Sequence, residues 1–444
     1  MTRARKGLWV MARGVRSLNN RNYRLFWFGQ LVSLGGTWMQ DVALSWLVLS
    51  LTDSPMALGL AMTIRFLPVL LFSLYGGVLA DRLPKRQTII VVQAIQLMVA
   101  LTLAILTSTE LVTVTIIYAL VAVRGLMDAV EGPTRQAFVP EMVGTENLSN
   151  AIALNSTQFN AARLAGPAVG AVVIGTMGIA ACFYLNAASF LVVIAALLLM
   201  RPDEFYSVPR APREKALRQL KEGLRYARST PEVVVILIVV GAIGTFGFNF
   251  QIILPLVTKY VLGAGASTLA LLTTSSGVGA VLAGLFVAYR EKLRLRLLMG
   301  AAIAFVVLLA IVGLSRQGIV TAVLMFMIGF AGVLFMTTAN TRLQLRVPGH
   351  MRGRVMAMYG LLFMGTTPIS SLLIGQLAES VGVQATILCM AGLCAAGLVA
   401  GAVYVRRATP MTGGSGRMVP VLSGEARQRV ADHGTGLEED TRPA

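Results

Sequence analysis

Residues Gly76–Gln87 read GGVLADRLPKRQ, and they set an acid and three bases, Asp81, Arg82, Lys85 and Arg86, within six residues between two long apolar runs. The composition around them says what kind of chain tolerates this. The protein has 444 residues, of which 56% are hydrophobic and 13% charged, with a mean hydropathy of +0.74. Soluble domains carry about 25% charged residues. A bilayer core of about 30 Å needs roughly 20 apolar residues per helical span, and many windows here reach that length. The charged knot therefore reads as a short connector between two membrane spans.

Working outward from it, twelve spans are expected, near 24–51, 55–80, 88–108, 111–133, 150–176, 179–200, 233–261, 266–289, 297–315, 319–341, 354–378 and 383–405. The fold class is an all-α membrane protein of two six-helix bundles. Its parts are a basic arm (1–23), an N-terminal bundle (24–200), a linker (201–232), a C-terminal bundle (233–405) and a disordered tail (406–444). Connectors alternate in charge. Leu51–Pro55, Ser108–Glu110 and Met177–Ile179 carry no base, whereas the arm, the 82–86 knot, the 201–232 linker and the connectors at 290–296 and 342–354 are rich in Arg and Lys. The positive-inside rule then places both termini in the cytoplasm of a cell membrane.

The net charge of +18 has the same origin. Nucleic-acid binding needs a soluble basic face, and none is seen; the bases are topology signals. Cys182, Cys389 and Cys394 lie in apolar runs without ligand spacing, and the two histidines, His350 and His433, stand apart. No metal site, cofactor or enzymatic constellation is expected, and no phosphate-binding loop suggests ATP-driven work. The N-terminus lacks a cleavage pattern and is read as retained. Arg-rich, Ala/Gly-rich usage is compatible with a high-GC bacterium.

Within the linker, REKALRQLKEGLRYARS (213–229) spaces Leu217, Leu220, Leu224 and Ala227 helically, with Lys221 and Arg228 on the other side. This predicts an amphipathic helix on the cytoplasmic surface. The halves also echo one another: GPTRQAFVPEMVGTENLSNAIAL (132–154) and ANTRLQLRVPGHMRGRVMAMYG (339–360) each read Thr-Arg, a proline, then a new helix. A six-span repeat points to a transporter whose site lies between the halves near the bilayer midplane.

With these pieces the chain resembles the major facilitator superfamily over nearly all of residues 20–405. Gly77, Leu79, Ala80, Asp81, Arg82, Lys85 and Arg86 match its signature between the second and third spans; Pro84 stands where that pattern has Gly. ARLAGPAVGA (162–171) is similar to the Gly-Pro pattern of antiporter-type members, with Ala162 and Ala171 in place of two glycines. GQLVSLGGTWMQDVALSWLVL, FLPVLLFSLYGGVLADR and LQLRVPGHMRGRVMAMY look like the branch of enterobactin exporters and drug:proton antiporters. The resemblance implies a monomeric, secondary active exporter of a small amphipathic compound, driven by protons. The alternative is an importer or uniporter of a small solute.

The resemblance also implies a cytoplasmic gate. Asp81 would meet the start of the eleventh span, where Arg352 and Arg354 cluster, and latch the halves there; Gly77, Arg82, Lys85 and Arg86 complete the motif. Arg163, Gly166, Pro167 and Gly170 form the antiporter-like motif, a small-residue face for close helix approach. The candidates for proton coupling or the cavity are Asp41, Arg65, Arg124, Asp128 and Glu131. Arg124, Asp128, Glu131 and Arg135 recur at helical spacing on one face. Asp41 lies about 16 residues into an outward span and Arg65 about 15 residues above the end of an inward one; at about 1.5 Å per residue they share a depth. Each alone is costly there, so a pair is expected.

Overall fold

In the first hairpin the chain states its own punctuation. Asn20 caps helix α1 (Arg21–Thr52), its side chain accepting from the Tyr23 amide at 3.2 Å. Asp53 ends that helix in the left-handed region at φ 48°, and Ser54 with Pro55 starts α2 (Pro55–Arg82), the Ser54 hydroxyl accepting from the Ala57 amide. A serine cap followed by proline at the first helical position is what four orphan amides ask for. The structure, a computed structural model, describes residues 16–207, 216–290 and 293–408. The side chains of Asp81, Leu217, Leu220 and Lys221 lie outside the described residues.

Helix α3 spans Lys85–Ser108, and α4 runs over Val114–Met177 in two arms that meet at Gly144. Gly144 has φ 69°, and a Cβ there would sit 3.3 Å from the Tyr206 ring, so both backbone and space favour glycine. Helix α5 follows from Ile179 to Leu198, and α6 (Ala216–Ser229) is the linker helix. The second half holds α7 (Pro231–Phe246), α8 (Phe250–Leu256), α9 (Ala266–Ala288), α10 (Leu295–Leu314), α11 (Gly318–Arg346), α12 (Gly349–Gly360), α13 (Thr367–Val381) and α14 (Val383–Ala408). π-helical turns at Val257–Val261 and Leu361–Gly365 extend α8 and join α12 to α13. The boundaries differ from expectation by a few residues: the Asn20 cap starts α1 inside the expected arm, and α14 runs to Ala408.

There is no strand among the described residues. Nine helical segments there are long and apolar enough to cross a membrane. The three arms outside that set, α1 and the two arms of α4, are those that carry Asp41, Arg124, Asp128, Glu131 and Arg163. In the first half α1 packs on α4 and α5, α2 on α4, and α3 on α5; in the second, α11 packs on α9 and α10, and α14 on α7 and α10. The halves meet mainly through α2 against α13 and α4 against α9. The α2–α13 crossing is made by Gly59 and Gly375: a Cβ on Gly59 would fall 2.6 Å from the Ser371 carbonyl oxygen and 2.8 Å from the Gly375 Cα. Helices approach this closely only over small residues, the usual means of association where lipid leaves no hydrophobic drive.

Candidate functional site

At mid-depth in the first half a carboxylate is gripped from two sides. Asp41 Oδ1 lies 2.7 Å from Arg65 Nη1 and 2.8 Å from Arg124 Nη1. The residues come from three helical arms and are only 4%, 5% and 3% exposed. Two cations share one carboxylate, and Asp128, one turn along α4, also interacts electrostatically with both arginines, as charges kept away from water require. Arg65 also stacks over the Phe66 ring at 4.9 Å. Arg65 Nε and Arg124 Nη2 have no hydrogen-bond partner among the described residues.

One and two turns further along α4 are Asp128 and Glu131. Gln96 of α3 donates to both, 3.1 Å to Asp128 Oδ1 and 3.0 Å to Glu131 Oε2, and Gln93 donates to Glu131 Oε1 at 3.0 Å. Arg135 donates to Gln30 Oε1 at 3.3 Å. Three buried polar groups, Asp41 with its arginines, Asp128 and Glu131 with Gln93 and Gln96, and Arg135 with Gln30, thus follow one another from Asp41 toward the basic end of the bundle. Gln30, Gln93 and Gln96 were not among the sequence candidates. Their signal was available: glutamines inside spans, all buried here.

The second half answers with rings. Phe248 stacks on Phe305 at 4.9 Å and meets Phe363 at 5.1 Å and Phe250 at 5.9 Å; Phe363 stacks on Tyr359 at 6.1 Å. The chain can deliver Phe248 because α7 ends at Phe246 and α8 begins at Phe250, so the TFGFNF stretch (245–250) is broken helix. Ser45, one turn beyond Asp41, reaches the Gln251 carbonyl oxygen at 3.4 Å, which places the charge network and the aromatic cluster side by side across the seam.

At the basic end, Lys85 Nζ lies 2.5 Å from Glu141 Oε1, and Arg86 donates to the carbonyl oxygens of Leu197 and Leu198 at the end of α5, at 2.7 and 3.2 Å. Both bases are thus engaged inside the first bundle, Arg86 as a cation on a helix C-terminus, while Arg82 is exposed. The close approach in the motif belongs to Gly76, which abuts the Ala129 carbonyl; Gly77 has open space around it. Arg352 is exposed, and Arg354 Nη1 lies 2.5 Å from Glu222 Oε2 of the linker helix. The expected partner Asp81 has its side chain outside the described residues.

In the second arm of α4, a Cβ on Gly166 would meet Trp38 Cβ at 2.6 Å and the Gly35 carbonyl oxygen at 2.7 Å, and one on Gly170 would meet Met39 at 3.1 Å. The small-residue face therefore seats α1, with Ala162 and Pro167 buried beside it. Arg163 is half-buried, with no acid at ion-pair distance among the described residues.

The opposite end holds groups the sequence reading passed over. Lys259 Nζ lies 2.8 Å from Asp53 Oδ1, the Tyr260 hydroxyl donates to the same oxygen at 3.1 Å, and Glu379 Oε2 accepts from the Ser54 hydroxyl at 2.9 Å and the Met56 amide at 3.2 Å. Among the described residues, the hydrogen bonds and ion pairs joining the two halves fall on residues 45–63 of the first half. Lys259 was legible as a lone base near the end of an apolar run.

A family model described as transmembrane secretion effector matches residues 13–417. The chain is 26% identical to the staphyloferrin A transporter of Staphylococcus aureus, over 79% of this chain and 88% of that one. It is 26% identical to the multidrug efflux pump Tap of Mycolicibacterium fortuitum, over 82% and 91%, and 24% identical to the enterobactin exporter EntS of Escherichia coli, over 75% and 79%. In fold it is similar to a bacterial homologue of the iron transporter ferroportin in the inward-facing state, with a TM-score of 0.65 at 12% identity, over 86% of this chain and 98% of that one. A bacterial homologue of the lysosomal transporter Spinster, also inward-facing, gives 0.65 at 13%, over 87% and 98%. Family match, two-bundle fold and buried charge between helices agree: the chain belongs to the transmembrane secretion effector family and is a major facilitator superfamily transporter of the exporter branch.

Proposed function

We propose that the protein exports a small amphipathic compound across a bacterial cell membrane by proton-driven alternating access, the two bundles rocking about the α2–α13 and α4–α9 contacts. The observation that carries this reading is the Arg65–Asp41–Arg124 group, with Asp128 and Glu131 held together by Gln96 one and two turns along α4. A buried acid that must trade arginine for a proton is a two-state element, and a carboxyl that gains a proton keeps an acceptor oxygen for its amide partner. The electrical part of a proton gradient supplies about 2.3 kcal/mol per 100 mV per charge moved, enough to bias conformers a few kcal/mol apart. The aromatic cluster at Phe248 offers apolar faces to a compound whose polar end meets the charges. The relatives' names, an efflux pump and two siderophore transporters, support export.

In this reading α1 and the two arms of α4 also cross the membrane, for twelve spans with the basic face and both termini cytoplasmic. The charges that lower their apolarity are the working parts. Asp81 with Arg352 and Arg354 is the cytoplasmic latch of the alternate state, and the Gly166–Gly170 face keeps α1 sealed against α4 as the halves rock. The test uses inside-out vesicles with an imposed proton gradient and a panel of siderophores, macrolides and cationic dyes. Export predicts accumulation of at least one compound, with proton release, and its collapse on adding a protonophore. Accumulation that a protonophore leaves untouched would overturn proton coupling. Gradient-driven accumulation only in right-side-out vesicles would make the protein an importer.

A further inference from the structure

The contacts at the end opposite the basic face have a common physical form. Lys259 of the second half holds Asp53 and also donates to the Leu49 carbonyl oxygen, one of the last in α1. Glu379, also of the second half, takes the Ser54 hydroxyl and the Met56 amide at the first turn of α2. A helix carries roughly half a negative charge at its C-terminus and half a positive charge at its N-terminus, and side chains of opposite sign are favoured at each. The second half therefore presents a cation to the end of α1 and an anion to the beginning of α2. The two ends are adjacent, joined by Asp53 and Ser54 alone. A one-residue exchange of sign would place like charge on like dipole.

The geometry points to a dipole-matched latch, Lys259 on the α1 C-terminus and Glu379 on the α2 N-terminus, that holds this face shut and must release in each transport cycle. It rests on the alternating-access reading above. The Ser54 hydroxyl proton and the Met56 amide would be left to water once α13 swings away, and the Leu49 carbonyl would keep only its bond from the Asp53 amide. Opening therefore exchanges cross-half bonds for solvent. The seam beneath, at Gly59 and Gly375, packs by shape with one neutral hydrogen bond, from the Thr63 hydroxyl to the Pro368 carbonyl oxygen, and carries no charge that selects one state. The charged pairs above it are what makes closure of this face state-specific.

The experiment places spin labels at Leu51 and Val381, both exposed at this end on opposite halves, in the full chain with the exposed Cys389 changed to Ser. Distances are read by double electron–electron resonance in lipid nanodiscs. The parent is expected to show a dominant short distance. Removing both charges, Lys259→Gln with Glu379→Gln, should raise the ratio of long to short distances about 3- to 30-fold, from two helix-end contacts at their usual strength. Glu379→Lys alone should do at least as much. The exchange Lys259→Glu with Glu379→Lys separates this from a plain attraction between the two residues. Made in an Asp53→Asn background, so that no acid faces another across the seam, it keeps their mutual attraction yet sets each on the wrong helix end, so the long distance should dominate. An unchanged distribution in the exchanged variant, with thermal stability close to the parent, overturns the latch. If an exchanged variant does not fold, the Gln pair decides, since Gln keeps an acceptor for Ser54. A distance shift together with proton-independent transport would instead overturn the coupling proposed above and leave the latch standing.

Discussion

Arg124 Nη1 sits 2.8 Å from Asp41 Oδ1, on the same oxygen that Arg65 holds at 2.7 Å. The three charges do not have equal weight. Removing Asp41 takes the directly bonded partner from two buried cations and leaves them only the more distant Asp128; removing Arg124 leaves Asp41 paired with Arg65. A buried charge left without its partner costs about 3–5 kcal/mol. Asp41→Asn should therefore lower the melting temperature of the purified protein most, and Arg124→Gln least, with Arg65→Gln nearer to Arg124→Gln. Adding Arg65→Gln to Asp41→Asn should recover only part of the loss, because Arg124 still lacks its directly bonded partner and keeps only the more distant Asp128. Thermal unfolding in detergent reads the order, and equal losses in all single variants would mean the three charges do not share one balance.

Much of this architecture can be read from sequence, and the omissions have physical causes. The alternation of basic and neutral connectors needs only local composition, and so do the Ser54–Pro55 restart and the linker helix. Counting rise per residue from the helix ends put Asp41 and Arg65 at one depth, because a tight hairpin fixes the register between neighbours. By helical spacing Arg124 lines up with Asp128, Glu131 and Arg135, the charges on its own helix face. Its partner comes from α1, and no periodicity within a helix reports which face turns to which neighbour. The same holds for Gln96, Lys259 and Glu379, whose partners lie 32 or more positions away. Phe248 carries no periodic signal, because a break between α7 and α8, not helical spacing, turns it toward Phe305 and Phe363.

The glycines of the second α4 arm give a graded test of packing. Gly166 has no room for a Cβ between Trp38 and Gly35, Gly170 has a little beside Met39, and Gly175 has nothing within 4 Å. Overpacking of this kind costs about 1–3 kcal/mol. Gly166→Ala should be destabilised on that scale, Gly170→Ala less, and Gly175→Ala not at all, since exchanging glycine for alanine in a helix gains up to about 1 kcal/mol. Melting temperatures in the same detergent measure all three. A Gly166→Ala protein as stable as Gly175→Ala would show that α1 and α4 can part without loss.

Asp53 supplies a pH dependence. The hydrogen bond from Lys259, then that from Tyr260, then the Lys259 charge hold its carboxyl below the usual range. The usual value is about 4. A depressed closed-state value means that Asp53 favours closure wherever it is ionised in both states, so the effect is complete above pH of about 4 and is lost as pH falls through the lowered value. Between pH 5 and 8 the distance distribution of the Leu51–Val381 label pair should not change on account of Asp53. Below pH of about 4 the long distance should grow, and Asp53→Asn should remove that growth. Growth that persists in the Asn variant would assign the acid response to another group.

The last test concerns Arg354, which has two claims on it. Its guanidinium lies 2.5 Å from Glu222 of α6, and α6 also packs on α7, with Ala227 buried. A 14-residue helix is marginal in water, so the order of α6 depends on these contacts. A partly exposed ion pair contributes up to about 1 kcal/mol, which is about a 5-fold change in local opening. Glu222→Gln should raise amide exchange across residues 222–229 by up to that factor, and Ala227→Glu by more, because it puts a charge into a filled contact. Arg354→Gln should match Glu222→Gln in exchange. In transport the two should part: Glu222 belongs to the linker helix, whereas the proposed cytoplasmic latch needs Arg354 for Asp81. Slower transport in Arg354→Gln than in Glu222→Gln, at equal exchange, is expected. Equal transport in the two would leave Arg354 a linker anchor and place the burden of the latch on Arg352.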